Sequence, residues 1–448
     1  MAHLELTADN LELSIPYTEK GERCCVYVIK VQVGPVWWLV KHRYNDFFKM
    51  HEEMVSNFGI RRDLIPVKSL LRKNDTAFVQ QRRIDLEYYL KQMVQFLSQS
   101  LPQSLKNFLC MSDYEIYSVV QRLARLFSEK GEAILASDEF FALDSVELYS
   151  ITRRTNLPCS PAECSSPSSS FVHVLDIVSR LRKLRIQGSN DFYKSSNLIP
   201  NLLPVSFLPF KSVKNLILSD FVTKNVSSIC TLRPTVNSLT CQNCQLSSLA
   251  DILLCDVIHR DKLSDEYRWS SATNLNLKSN KIESIDEAVV LLEKLEVLDL
   301  SNNLISSLEN NFLTKLPHLV ALILTNNRIK ILDSLHMKVG NLVKLNISHN
   351  KLSNLDGLSK LYSLEQLEAG WNCIEHLESV ICVSSLPCLQ RLVLNGNPVA
   401  SIVDYRIKIF SLFGQRMSEI YFDNERPLPK EIDKALVLRA LRMAQRRD

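Results

Sequence analysis

From residue 171 to 424 the apolar positions obey one template, L-x-x-L-x-L-x-x-N-x-L. Its sharpest copies are Leu295-x-x-Leu298-x-Leu300-x-x-Asn303-x-Ile305, Leu319-x-x-Leu322-x-Leu324-x-x-Asn327-x-Ile329 and Leu342-x-x-Leu345-x-Ile347-x-x-Asn350-x-Leu352. The asparagines fall at Asn280, Asn303, Asn327, Asn350, Asn372 and Asn397, spaced by 23, 24, 23, 22 and 25 residues. Weaker copies precede them at Leu216-x-Leu218 and at Leu239-x-Cys241-x-x-Cys244-x-Leu246, where Cys244 takes the asparagine place; residues 251–270 read as an insertion. The L-x-L core predicts a short strand with both leucines facing inward. The turn after it buries backbone groups, which an asparagine amide can bond. One such unit cannot bury its own core, but a stack of them can.

The first hundred residues have different periods. Residues 23–33 and 37–41 read as strands joined at Gly34-Pro35. Residues 43–58 and 76–98 place apolar side chains at i, i+3, i+4 spacing and predict amphipathic helices. A Lys- and Arg-rich loop around Pro66 lies between them. We divide the chain into a first domain at 10–112, a helical connector at 113–156, a Ser/Pro-rich linker at 157–170, a repeat solenoid with its cap at 171–424, and a basic terminal helix at 429–446.

Composition narrows the chemistry. Among 448 residues only 10 are glycine, and no two lie closer than 13 positions. That spacing excludes G-x-G-x-x-G, the Walker loop and the G-x-S-x-G elbow. Dinucleotide dehydrogenases, P-loop NTPases, kinases and α/β-hydrolases fall away with them. A net charge of +4 does not point to nucleic acid. No 18-residue apolar run predicts a membrane span, and MAHLELTADN lacks the regions of a signal peptide. The 12 cysteines therefore read as reduced thiols. Cys241-x-x-Cys244 has no partner pair at metal spacing and reads as structural. His42 reads as a strand-end surface residue, and Trp37-Trp38 as packing on the sheet. No cluster suits catalysis, a metal or a cofactor.

Two resemblances follow. KHRYNDFF (41–48), then Ile65-Pro66-Val67-Lys68, then the helix QRRIDLEYYL (81–90) resembles the Phox-homology (PX) domain, which binds phosphoinositides. The resemblance implies that Arg43 holds the 3-phosphate of phosphatidylinositol 3-phosphate and Tyr44 stacks under the inositol ring. It assigns the 1-phosphate to Lys68 and the inositol hydroxyls to Arg82. Guanidinium and ammonium groups suit such phosphates. The chain departs from the family in its loop, which keeps Pro66 where a longer proline-rich run is usual. Around it, apolar Val67, Leu70 and Leu71 alternate with basic residues, a pattern suited to insertion into an anionic membrane surface. The later template resembles leucine-rich repeats of the short, 22-residue class, with Leu355-Asp356-Gly357-Leu358 opening a repeat and 403–423 closing the stack. The fold class is thus α+β: a small antiparallel sheet with helices, followed by an α/β repeat solenoid. Side chains between the strand leucines face outward on the concave side and are candidates for partner binding: Asn276, Asp299, Ile323, Asn346, Glu368 and Val393.

The order of these parts, with stretches such as VKHRYNDF, LYSLEQLE and SLPCLQRL, resembles the nischarin family of imidazoline-receptor-related adaptors. That resemblance implies a non-enzymatic, cytoplasmic adaptor, peripheral on early or recycling endosomes. Its implied partners are membranes carrying phosphatidylinositol 3-phosphate, integrin α tails, Rac and PAK-family kinases, with self-association raising avidity. The alternative expectation is a cytosolic regulatory subunit of a protein phosphatase, since short-type repeats resemble such regulators.

Overall fold

The computed structural model describes residues 10–21, 24–68, 75–97, 101–157, 168–258 and 263–445. The linker expected at 157–170 falls mostly outside them. Contacts divide the chain into two units. One runs to Glu139 and adds Leu143–Arg180 and Gly188–Pro209; the other comprises Phe140–Ala142, Leu181–Gln187 and everything from Phe210 on. These limits differ from the sequence boundaries, which give all of 171–424 to the solenoid.

In the first unit three antiparallel strands lie in chain order: β1 (Leu11–Lys20), β2 (Cys25–Val33) and β3 (Val36–Arg43). Helices α1 (Tyr44–Phe58) and α2 (Thr76–Phe96) complete the domain, and Tyr27, Ile29 and Val31 share a core with Phe47, Met54, Leu86, Tyr89 and Met93. Strand β1 is absent from the sequence reading because Pro16 interrupts its alternation. The structure accommodates Pro16 with a register shift between Ser14 and Tyr17. Helix α2 then serves the backbone left at the shift: Glu87 Oε2 accepts from Ile15 N at 2.8 Å, and Arg83 Nη1 donates to Ile15 O at 2.5 Å. A proline thus sits inside a strand because side chains of another element replace ladder bonds.

The other sheet edge, β3, is also covered. Residues 195–197 run along it: Leu39 N donates to Ser195 O at 2.9 Å and Asn197 N to Trp37 O at 3.1 Å. Asn197 Oδ1 accepts from Trp37 N at 2.9 Å while its Nδ2 donates to Pro35 O at 3.0 Å. This strap hides an edge that could otherwise pair with another chain. It is one reason Gly188–Pro209 groups with the first unit. Trp38 is fully buried, donates to Leu109 O at 2.8 Å and stacks on Tyr114; Trp37 is half-buried. His42 departs from the expected surface role. It stacks on Phe108 at 3.9 Å, and its Nε2 lies 2.7 Å from Phe108 O. The expected helical connector also contains a strand, Phe141–Asp144, between helices Ile116–Ala136 and Ser145–Arg154.

In the second unit the repeats form a parallel ladder in strict register. Leu275, Leu298, Leu322, Leu345, Leu367 and Leu392 are successive Cα partners, each 1% exposed or less. Strands Ser238–Gln242, Asn215–Ser219 and Lys183–Gln187 extend the ladder toward the N-terminus, the last being a rung the template did not disclose. At the far end the strand Tyr421–Phe422 pairs with Arg391–Val393. The helix Tyr405–Phe413 and the terminal helix Pro429–Gln445 pack there, the latter through fully buried Ala435.

Each asparagine bonds two repeats at once. Asn350 Nδ2 donates to Ile347 O and Ser348 O of its own turn, and to Leu324 O of the repeat before; its Oδ1 accepts from Ile329 N at 3.0 Å. Asn303, Asn327 and Asn372 repeat the pattern. Cys244 keeps only the donor half, its thiol facing Leu218 O at 3.5 Å and Gln242 O at 3.4 Å. Cys241 is fully buried, and burial pushes its thiol well above the usual range. Among the described residues no group of His, Cys, Asp or Glu could hold a metal ion.

Candidate lipid-binding site and repeat surface

Strand β3 ends where α1 begins, and Arg43 stands at the junction. Its backbone is extended (φ −88°, ψ 159°), and its N–H donates to Asp46 Oδ2 at 2.9 Å. The start of a helix offers unpaired N–H groups and positive potential to an anion. The Arg43 side chain is exposed and makes no ion pair among the described residues.

Tyr44, the next residue, is only 8% exposed. Its hydroxyl donates to Pro66 O, pinning the loop that carries Val67 and Lys68. Burial raises the Tyr44 phenol, although the nearby Arg82 charge works against the rise. One face of the ring is covered: the Arg82 guanidinium lies 4.4 Å from its centroid and 4.3 Å from that of Phe78. Phe78 is one helical turn before Arg82, so α2 supplies both the cation and half of its aromatic sandwich. Arg82 Nη2 reaches Val67 O at 3.4 Å, while its buried Nε has no hydrogen-bond partner among the described residues. Arg83 turns the other way, to β1. Lys68 is exposed, with Nζ 5.4 Å from the Phe48 ring centroid. Val67 is 86% exposed, and Leu70 and Leu71 lie outside the described residues.

The structure therefore gathers Tyr44, Lys68 and Arg82 around one loop, with Arg43 next to Tyr44 at the start of α1. It gives them unequal access: Arg43 and Lys68 are open, whereas Arg82 and Tyr44 are enclosed. The 8% of Tyr44 that is open suits propping of Arg82 and the loop better than a broad stacking platform. Phe78 is missing from the sequence reading, although its i, i+4 relation to Arg82 was available as a signal.

On the solenoid, Asn276, Asp299, Ile323, Asn346, Glu368 and Val393 form one in-register row, half-buried between the leucines. Much of its polarity is engaged locally. Asp299 Oδ1 accepts from Ser301 N at 2.9 Å, Asn346 Oδ1 from Ser348 N at 3.0 Å, and Asn346 Nδ2 donates to Glu368.

Family models place the two halves. Residues 33–111 match the PX domain and residues 270–329 match a leucine rich repeat. The chain is a PX domain followed by leucine-rich repeats. It is similar to serine/threonine-protein kinase 11-interacting protein of Gallus gallus, 26% identical over 63% of this chain and 26% of that protein. The Homo sapiens protein of the same name is 25% identical over 44% of this chain and 18% of its own length. The chain thus spans about a quarter or less of these curated relatives. Among solved structures, a leucine-rich repeat protein of Leptospira interrogans aligns at TM-score 0.41 and 17% identity, covering 59% of this chain and 61% of that one. Both domain types are interaction modules, the first for phosphoinositides and the second for proteins, and no enzyme family is indicated. Among the described residues no helix is long and apolar enough to cross a membrane.

Proposed function

We propose that the chain is a non-enzymatic, membrane-associated adaptor whose PX domain binds phosphatidylinositol 3-phosphate. The observation that carries this reading is the open Arg43 at the amino end of α1, beside a loop held by Tyr44 and Arg82. Arg43 takes the 3-phosphate through its guanidinium fork and the helix N-terminus. Lys68 meets the 1-phosphate as a mobile point charge. Arg82, whose buried Nε has no acceptor among the described residues, takes ring hydroxyls, with Tyr44 and Phe78 fixing its plane. Val67, with Leu70 and Leu71, enters the interfacial region. The adaptor works peripherally on early or recycling endosomes.

The solenoid holds protein clients along the row from Asn276 to Val393. By family resemblance these are integrin α tails, Rac and PAK-family kinases, linking the protein to cell migration. The name of the similar chicken and human proteins supports a kinase client, because those proteins are called interactors of serine/threonine-protein kinase 11. The test is co-sedimentation of the whole chain with phosphatidylcholine vesicles containing phosphatidylinositol 3-phosphate. Arg43→Ala is expected to weaken binding at least tenfold with no change in thermal melting. Equal sedimentation of wild type and variant, or equal binding to vesicles lacking the lipid, would remove the assignment.

A further inference from the structure

The repeat template has a position just before each asparagine where the backbone enters the left-handed region. It is occupied by Ser279, Asn302, Asn326, His349, Trp371 and Gly396, with φ of 60°, 56°, 55°, 56°, 56° and 75°. Asparagine tolerates this conformation and glycine adopts it freely; a bulky aromatic residue there is an outlier. Such strain is ordinarily offset by burial, yet Trp371 is 57% exposed. The stack therefore holds a large aromatic side chain at a conformational cost that its own packing does not repay.

Its surroundings hold the ring in one place. The Trp371 ring lies parallel to His349, with centroids 5.6 Å apart and planes within 6°. On the opposite side is Gly396, where a Cβ would stand 2.5 Å from Trp371 Cδ2, so only glycine leaves the ring room. The backbone beneath is tied across repeats, His349 N to Gly370 O at 2.9 Å and Trp371 N to Asn395 O at 2.8 Å. An exposed tryptophan fixed on both faces loses little freedom when a partner covers it, which is how binding hot spots are built.

The charge near it is mainly basic. Alternation around the buried asparagines turns Arg328 and Lys330 outward in one repeat and His349 and Lys351 outward in the next, adjoining Trp371. Arg328, Lys330 and Lys351 are exposed and make no ion pair among the described residues, while exposed Glu375 belongs to the Trp371 repeat itself. We infer that this edge of the solenoid, centred on Trp371 and flanked by Arg328, Lys330 and Lys351, docks an acidic segment of a partner protein that carries an aromatic side chain. The aromatic group packs on the exposed edge of Trp371, and the carboxylates meet the three cations. This surface adds to the concave row proposed above and needs no lipid.

The reporter is built in, because Trp38 and Trp269 are fully buried and Trp371 is the most exposed tryptophan among the described residues. The whole chain is titrated with a fluorescein-labelled peptide of alternating Glu and Asp around a single Phe. The comparison probes are its Phe→Ala form, a charge-reversed form and a single-stranded oligonucleotide of equal charge. The acidic Phe peptide is expected to bind tightest and to shield Trp371 from acrylamide quenching. Arg328→Glu with Lys351→Glu is expected to weaken it at least tenfold and flatten its salt dependence. Trp371→Asn, which restores the residue type found at Asn326 and relieves the strain, is expected to melt no lower than wild type yet bind at least tenfold more weakly. Equal binding of the charge-reversed peptide, tighter binding of the oligonucleotide, or unchanged affinity of Trp371→Asn would overturn the inference. Retained sedimentation of these variants with lipid vesicles keeps the outcome separate from that of the lipid reading.

Discussion

Asn350→Ala tests the repeat physics most directly. The wild-type amide is 7% exposed and makes four contacts: donors to Leu324 O at 2.9 Å, Ile347 O at 3.0 Å and Ser348 O at 3.2 Å, and an acceptor for Ile329 N at 3.0 Å. Alanine removes all four without admitting a replacement. An orphaned buried N–H costs about 1–3 kcal/mol, and each carbonyl losing one of its bonds costs roughly 0.5–1.5 kcal/mol. The total is about 2–5 kcal/mol, discounted because all three carbonyls keep another donor and contributions do not add fully. With a urea dependence above about 2 kcal/mol per molar for a unit of this size, the midpoint should fall by roughly 1 M. The local consequence is sharper. Ile329 lies 21 residues upstream, and its amide should lose hydrogen-exchange protection while equivalent amides two repeats away keep theirs. Asn350→Cys should be milder than alanine, because Cys244 shows that a thiol can keep the donor half. Unchanged protection at Ile329, or a cysteine variant as unstable as the alanine one, would refute the account of a cross-repeat amide.

Asn197→Ala removes the bonds to Trp37 N and Pro35 O, worth about 1–3 kcal/mol together, and should raise exchange in residues 36–41 before the rest of the first unit; exchange confined to the strap itself would contradict this. Gly357→Ala places a Cβ 1.7 Å from Leu332 O, a clash with backbone, so melting should fall by the equivalent of about 1–3 kcal/mol or more; an unchanged melting temperature would show the turn is adaptable. Burial alone would raise Glu87, but Ile15 N and Lys91 outweigh it and hold the carboxyl below its usual value. Its stabilisation is therefore present above the unfolded value and lost as pH falls through the folded one. The stability gap between wild type and Glu87→Gln, read from urea midpoints at neutral pH and near pH 3, should shrink on acidification; a constant gap would be inconsistent.

The sequence disclosed what repeats or alternates. Asparagines spaced 22–25 apart exposed the ladder because backbone hydrogen bonding imposes the same amide at the same turn. The residues of the proposed lipid site were legible as a motif because the end of β3, the Pro66 loop and α2 each contribute a residue type that the resemblance names. What stayed hidden depends on single long-range contacts without a period. Nothing near Asn197 signals that its amide bonds residues 160 positions earlier. Strand β1 was lost because the groups that rescue Pro16 sit on α2, some 70 residues away. Trp371 was lost at a template position marked only as variable. The glycines at 370 and 396, set around it in a chain with ten, were the available hint.

The asparagine ladder also has a direction. Every amide serves the turn before its own, so each repeat needs a successor to complete it. Asn397 completes the repeat of Asn372, but the repeat of Asn397 is completed differently. Asp423 accepts from Leu394 N at 2.7 Å and Asn395 N at 3.0 Å, and Val399 N, the group a further asparagine would take, donates to Ile374 O at 2.9 Å. The stack thus behaves like a polymer with a chemical end-stop, able to lengthen in its interior by whole units but not beyond its last one. A damaged amide injures its upstream neighbour first and leaves the downstream side intact.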